Sequence, residues 1–462
     1  MKIAPDGQER HFDVVILGGG PGGTAAGMTL LKRDGISVAV VEESDYSSPR
    51  IGESLTPGIR PLLEYLDIWE PFRSEQSLES FGSQAAWGSD SLQALDYMFT
   101  LHGTGWALDR VRFDRMLAYA FRERGGHLLT NTRFLSGERT ASNGWEIEVK
   151  DAGKTTWKIR CDYLIDATGR RGHLASALGV TRTIHDRLVG VGCIGPLPKD
   201  SSLESVTQVE ACPYGWWYTS PVPGNQISVV LMSDADIVSR RKAARPDQWQ
   251  SLLNEMKLTS KRVRGVRFTQ KPKAFLCFSS CLQQVGGENW VAVGDAAASH
   301  DPLSSTGIPH AIGSGVHGAR VAENSLFSNG ELLERFQQGM HSDFIQYLRT
   351  HWRYYQRETR WPESMFWKRR STPIFIDAKT KIERVEPATQ TIFHGLVHLP
   401  TRFSRQLYER CQPGRSAHQI VRAFANAHPQ IPDEQIILGF QELVVSGYVK
   451  IDQPKRFEEI IR

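Results

Sequence analysis

Apolar residues gather in short unbroken runs. Phe12-Asp13-Val14-Val15-Ile16-Leu17, Val38-Ala39-Val40-Val41 and, far downstream, Trp290-Val291-Ala292-Val293 each predict a strand, and the stretch from 21 to about 32 between the first two predicts a helix. Residues 181–274 carry further strand patterns, Gln226-Ile227-Ser228-Val229-Val230-Leu231-Met232 among them, which predict a second sheet. Residues 331–370 read as helical and rich in aromatics. The composition shifts after Thr372-Pro373, and 402–452 reads as a small helical unit. In that unit Ser416-Ala417-His418-Gln419 has the form of a capping box, with Ile420 and Phe424 at i, i+4 behind it. Pro432-Asp433 opens another helix with Ile436, Phe440, Leu443 and Val444 on one stripe, Gly447 closes it, and Tyr448-Val449-Lys450-Ile451 reads as a short strand. With a helix over 405–411 in front, the order is winged-helix-like.

The first apolar run ends in Gly18-Gly19-Gly20-Pro21-Gly22-Gly23, a GxGxxG on Gly18, Gly20 and Gly23, and the second ends on Glu42. Glycines suit a tight turn whose backbone must approach a pyrophosphate. The helix that follows offers unpaired N–H groups to that charge, and an acid about 20 residues on accepts ribose hydroxyls. A glycine turn without a ligand would need strand, helix, second strand and acid to fall in register by chance. NAD would satisfy the same fingerprint. The distal block Gly294-Asp295-Ala296, placed after the run at 290–293, decides for FAD, held non-covalently.

These blocks resemble the flavin monooxygenases that share the p-hydroxybenzoate hydroxylase fold, a family that includes flavin-dependent halogenases. Arg50-Ile51-Gly52-Glu53-Ser54-Leu55 resembles the family's segment after the second strand, which places Arg50 and Ser54 at the cofactor. Asp109-Arg110-Val111-Arg112-Phe113-Asp114 is similar to its R-x-x-F/L-D helix start, whose arginine, here Arg110, lies near the flavin. Gly294-Asp295 is similar to the motif whose Asp binds the ribityl chain, and Asp301-Pro302-Leu303-Ser304-Ser305-Thr306-Gly307 resembles the loop beside the isoalloxazine, which brings in Pro302 and Gly307. The matches span 13–320 in the family's order.

The resemblance implies an α/β chain. A Rossmann-like FAD-binding domain, discontinuous over 1–70, 104–180 and 275–330, carries a β-sheet substrate domain from 71–103 and 181–274. A helical connector at 331–379 leads to a winged-helix-like domain at 380–462. One departure stands out: Tyr163-Leu164-Ile165-Asp166-Ala167-Thr168-Gly169 has Thr168 where many NAD(P)H-dependent members carry Asp. The reductant, NAD(P)H or a separate flavin reductase, therefore stays open.

Composition adds bounds. A chain of 462 residues supports two or three domains, and 55 basic against 51 acidic residues give a net charge of +4, which neither demands nor excludes nucleic acid. No run of eighteen apolar residues and no signal peptide is present, so a cytoplasmic protein without membrane contact is expected. The six cysteines are scattered, and Cys277-x3-Cys281 lacks the second pair a metal site needs; no metal is expected.

For the substrate, Tyr214-Gly215-Trp216-Trp217-Tyr218-Thr219-Ser220-Pro221 resembles the GWxWxIP segment of halogenases without copying it. Trp216, Trp217 and Tyr218 are candidate pocket walls for a planar substrate, or ordinary sheet packing, and the pleat lets only alternate members face one pocket. Trp106 carries the same two readings. His300, five residues after Asp295, is a candidate proton acceptor or a structural histidine. Family halogenases carry an essential lysine shortly after the Gly-Glu segment, whereas this chain has none between Lys32 and Lys150. That favours oxygen transfer from a C4a-hydroperoxyflavin over halogenation.

Four segments narrow the resemblance: Phe81-Gly82-Ser83-Gln84-Ala85-Ala86-Trp87-Gly88-Ser89, Gly103-Thr104-Gly105-Trp106-Ala107-Leu108-Asp109-Arg110, Gly215-Trp216-Trp217-Tyr218, and Arg360-Trp361-Pro362-Glu363-Ser364-Met365-Phe366-Trp367. They are similar to the flavoproteins that mature tryptophylquinone enzymes, namely lysine oxidase, glycine oxidase and quinohemoprotein amine dehydrogenase. The implied partners are O2 and a polypeptide whose Trp is hydroxylated on the way to cysteine tryptophylquinone, with its leader or a co-maturation protein. A small-molecule aromatic hydroxylase is the alternative. The C-terminal unit fits a leader-binding domain or a plain helical cap. A flavin-sensing DNA-binding regulator would need Arg or Lys on its recognition helix, and 433–445 has none.

Overall fold

The computed structural model describes residues 10–97, 103–201, 203–371, 374–375, 379–385, 398–445, 448–452 and 455–456. The first apolar run is the strand Arg10–Leu17. It is buried because it pairs in parallel on both edges, with Val38–Val41 and with Thr156–Asp166. The parallel core runs Trp290–Ala292, Thr156–Asp166, Arg10–Leu17, Val38–Val41, His127–Leu129. Only one strand separates the carrier of the first glycine block from the carrier of the second. Because the strands are parallel, both glycine turns leave the sheet at the same carboxyl edge, where open α/β sheets bind ligands.

The helix Pro21–Leu30 packs against Gly307–Phe327 and against Arg110–Glu123. Asp109 starts the last of these by accepting the N–H groups of Val111 (2.9 Å) and Arg112 (3.2 Å).

A seven-stranded sheet covers the carboxyl edge. Its order is Lys273–Leu276, Leu188–Pro196, Gln226–Asp234, Gly215–Val222, Val206–Cys212, Gly82–Ala86, Gln93–Asp96. Residues 227–234 are buried without a break, since the sheet is covered on both faces. The helical stretch resolves into Leu332–Tyr355 and Met365–Ser371, parted by a loop that contains Pro362. The six cysteines are buried and unpaired. Among the described residues no helix is long and apolar enough to cross a membrane.

The C-terminal unit has its own core. Helices Thr401–Arg410, Ala417–Ala427 and Asp433–Val445 enclose Ile420, Phe424, Ile436, Phe440 and Leu443, and Val449–Ile451 pairs antiparallel with Ile382–Val385. The capping box forms as expected: Ser416 Oγ accepts the Gln419 N–H at 3.2 Å and Gln419 Oε1 accepts the Ser416 N–H at 2.9 Å. Thr372-Pro373 and Gly447 lie outside the described residues.

Because this core shares no member with the others, Phe424→Ala should destabilise the C-terminal unit alone, by about 3–5 kcal/mol. Hydrogen exchange should accelerate across 401–445 while Arg10–Leu17 and Thr156–Asp166 keep their protection.

Candidate functional site

The two glycine turns and the 50–54 segment open into one cavity of about 820 Å³ at the sheet's carboxyl edge. Gly18, Gly20, Glu42, Arg50, Ser54, Arg110, Asp295, His300, Pro302 and Gly307 all line it, with Tyr218 contributed by the second sheet. Gly23 does not line the cavity. A Cβ there would stand 1.9 Å from the Gly18 carbonyl oxygen, so it serves the turn's packing.

The turn is built to admit a ligand. Gly18 has φ +103°, and a Cβ on it would meet Ala167 O at 2.3 Å. At Gly20 a Cβ would touch nothing within 4 Å and would project into empty space. Gly20 is also the N-cap of Pro21–Leu30 with no side-chain cap, so the first-turn N–H groups keep their bonding capacity. An uncapped helix start beside an open glycine suits a diphosphate, so the residues present fit FAD.

Charged groups are held in place by one another. The buried Glu42 accepts the Gly19 N–H at 2.7 Å through Oε2, and Arg50 Nη2 lies 3.3 Å from its Oε1. Arg50 also reaches Asp114 at 3.0 Å, and Arg110 grips the same carboxylate with two bonds of 3.1 Å while donating to Gly52 O at 3.0 Å. Asp114 thereby fixes two of the arginines that line the cavity, Arg50 and Arg110. Asp114 is the closing Asp of the R-x-x-F/L-D block, in which the sequence reading assigns a role only to Arg110; its i, i+4 spacing from Arg110 is the readable signal of the clamp.

Asp295 pairs with Arg170 Nε at 3.2 Å, and Arg170 also donates to His300 O at 2.8 Å and to Phe278 O. Arg170 is a group the sequence reading missed; its place one residue beyond the Asp-Ala-Thr-Gly run was the available hint. Thr168 is occupied by the fold. Its hydroxyl donates to Asp166 at 2.6 Å and accepts the His173 N–H at 2.8 Å.

His300 is 9% exposed, its ring stacked on Tyr347 at 4.2 Å and its Nδ1 3.1 Å from Thr306 Oγ1. Burial first, then the nearby His310 and Arg170, push its pKa down to about 3, so the imidazole is neutral. Burial, followed by the neighbouring Glu53 carboxylate, holds the Tyr218 phenol protonated.

Three expected wall residues lie elsewhere. The pleat sends Trp217 to the helix-covered face, against Trp249 at 5.4 Å. Trp216 shares the face of Tyr218 but is fully buried under Leu332–Tyr355, donating to Tyr355 OH at 2.9 Å. Met232, its cross-strand partner, takes the place at the wall. Trp106 does not line the cavity and packs against Trp69 (5.6 Å) and Phe72 (5.4 Å). All three fill core; only Tyr218 of the aromatic candidates borders the cavity.

The FAD binding domain family model matches residues 11–317. The chain belongs to this FAD-binding family. LodB of Marinomonas mediterranea, named as an FAD-dependent oxidoreductase, is 33% identical over 362 residues, covering 78% of this chain and 96% of that protein. The tryptophan 2-halogenase of Chondromyces crocatus is 25% identical over 332 residues, covering 68% of this chain and 61% of that one. Two solved halogenases share the fold. The flavin-dependent halogenase CmlS has TM-score 0.70 at 20% identity, covering 97% of both chains, and the myxobacterial chondrochloren halogenase CndH has 0.73 at 16%, covering 94% of this chain and 97% of that one. The protein is a flavin-dependent oxidoreductase of mixed α/β fold.

Two variants probe the FAD site. Gly20→Val should lower FAD affinity at least tenfold, about 1.4 kcal/mol, and leave the melting temperature of the apoprotein unchanged, because the added side chain occupies open space. Asp295→Ala should weaken FAD retention in the same titration.

The buried His300 gives a pH signature. The unfolded chain binds its proton near pH 6.5 and the folded chain only near 3, so stability is lost as pH falls through that window. Urea midpoints should drop from pH 6.5 toward 4, less steeply in His300→Asn.

Proposed function

We propose that this protein is an FAD-dependent monooxygenase that hydroxylates a Trp side chain of a partner polypeptide during biogenesis of a tryptophylquinone cofactor. One observation carries the reading. Segments that resemble the maturation flavoproteins, far apart in the chain, meet in a single aromatic cluster behind the cavity wall. Trp87 lies 6.5 Å from Trp216 and 5.1 Å from Trp367, and the Gly88 N–H binds Glu358 at 2.8 Å. The 33% identity to LodB, named as an FAD-dependent oxidoreductase, supports the flavin-dependent oxidation in this reading. The absence of lysine between positions 32 and 150 favours hydroxylation over halogenation.

Bound and reduced FAD supplies, with O2, the activated oxygen that adds to the indole. The chain's residues do the rest. The N–H groups at the start of Pro21–Leu30 take the diphosphate, Glu42 the ribose hydroxyls and Asp295 a ribityl hydroxyl. Arg50 and Arg110, held by Asp114, border the cofactor, with Ser54 beside them. Pro302 and Gly307 bracket the loop that faces the ring. Tyr218 and Met232 form an apolar wall that keeps water from the reacting centre. His300, neutral and with Nδ1 3.1 Å from Thr306 Oγ1, borders the cavity as a hydrogen-bonding partner for the substrate.

The test is mass spectrometry of a Trp-containing partner polypeptide incubated with the reduced holoprotein, O2 and bromide. One or two added oxygen atoms on Trp and no bromine are expected; brominated product would place the protein with the halogenases. Removing residues from about 380 onward should preserve the flavin spectrum and slow modification of the polypeptide, since a second contact raises the local concentration of the reacting Trp. Free tryptophan turned over by both forms as fast as the polypeptide would point to a small-molecule hydroxylase.

A further inference from the structure

A second hollow, of about 660 Å³, lies beside the turn that leads into Gly215–Val222, the strand that supplies Tyr218. Pro213, Tyr214 and Ile237 form one side, and Trp361, Pro362 and Met365 the other. The two sides are tied together: Ser364 Oγ donates to Pro213 O, and Trp367 Nε1 donates to Cys212 O at 2.9 Å. The groove is therefore set before anything enters it.

Its rim is basic and only partly neutralised. Arg360 lies over the Trp361 ring at 4.3 Å and spends its charge on Glu358 (2.6 Å) and Asp90 (2.5 Å). Arg240 pairs with Asp236 at 2.7 Å, and Glu363 with Lys368 at 2.6 Å. Arg241 is different. Its guanidinium lies 4.1 Å above the Tyr214 ring, is exposed, and has no carboxylate partner among the described residues; the same holds for the neighbouring exposed Lys242. An aromatic-backed arginine beside an apolar slot suits a carboxylate next to a flat or prolyl side chain.

We propose that this groove docks an extended acidic segment of the partner polypeptide, with a carboxylate on Arg241 and an aromatic or prolyl residue against Trp361. The proposal rests on the polypeptide-substrate reading and adds where and by what chemistry that polypeptide is held. Tyr214, in the turn that leads into the strand Gly215–Val222, stands four residues before Tyr218, about 13 Å at strand rise. A docked segment therefore needs at least about four extended residues to reach the cavity wall.

Two fluorescein-labelled synthetic peptides test it by anisotropy on the full-length holoprotein. One repeats Asp-Pro-Trp-Asp and the other has every Asp replaced by Lys. The acidic peptide should bind at least tenfold more tightly. Arg241→Glu should reverse that preference, and Trp361→Ala should weaken acidic binding about tenfold. Lys154→Glu, on a hairpin of the first sheet, should change neither. Equal affinity for the two peptides, or acidic binding untouched by Arg241→Glu, overturns the proposal. Peptide preference with no oxidised Trp in the mass spectra would instead sink the maturation reading and leave the groove standing.

Discussion

Backbone meets backbone where Pro21–Leu30 crosses Gly307–Phe327. A Cβ on Gly315 would stand 2.2 Å from Gly22 O, one on Gly22 would stand 3.1 Å from Ala311 O, and one on Gly318 would meet Val293 Cγ1 at 2.3 Å. A side chain on Gly315 or Gly22 would drive the two helices apart, and one on Gly318 would push the second helix off the sheet. Both helices begin at the cavity, so their separation sets the distance between the first glycine turn and the 302–307 loop. The site depends on residues that are absent in the sense of having no side chain at all.

The far wall is held by charge and aromatic packing. Asp234, at the end of the strand that carries Met232, is fully enclosed with Arg370 (2.5 Å) and Arg369 (2.8 Å). Burial works against its charge, yet Arg370 and then Arg369 hold the carboxyl below the usual range. Breaking such a pair strands a buried charge, which costs more than the pair contributes. The short helix Met365–Ser371 is thus bolted to the sheet. From there Trp216, Tyr355 and Asp301 form a hydrogen-bonded line back to the loop at the cavity's edge.

Much of this was legible because it is local. The glycine turn, its strand and helix, Glu42 at the next strand end and the capping box at Ser416 are each set within a few dozen residues, and their chemistry leaves few alternatives. The clamp on Arg50 was not legible, since Asp114 lies 64 residues away and nothing near Arg50 announces it. The tryptophans misled for a related reason. Pleat alternation separates Trp216 from Trp217, but which of them meets solvent, helix or cavity depends on Leu332–Tyr355, an element more than a hundred residues downstream. The buried Glu210 is a similar case. It accepts the N–H groups of Leu258 and Thr259 and so anchors a helix that starts 48 residues later.

The order of strands across the parallel sheet also governs how the chain comes to be made. Trp290–Ala292 is the outer neighbour of Thr156–Asp166, which in turn pairs with Arg10–Leu17, so a sheet begun by the first residues is completed nearly three hundred residues later. At roughly 5–20 residues per second of synthesis, the glycine turn waits on the order of 15–60 s for the helix that closes over it. Through that interval the apolar strands and an unfinished nucleotide site stand exposed, which makes the nascent chain, more than the finished enzyme, the form that needs protection from aggregation.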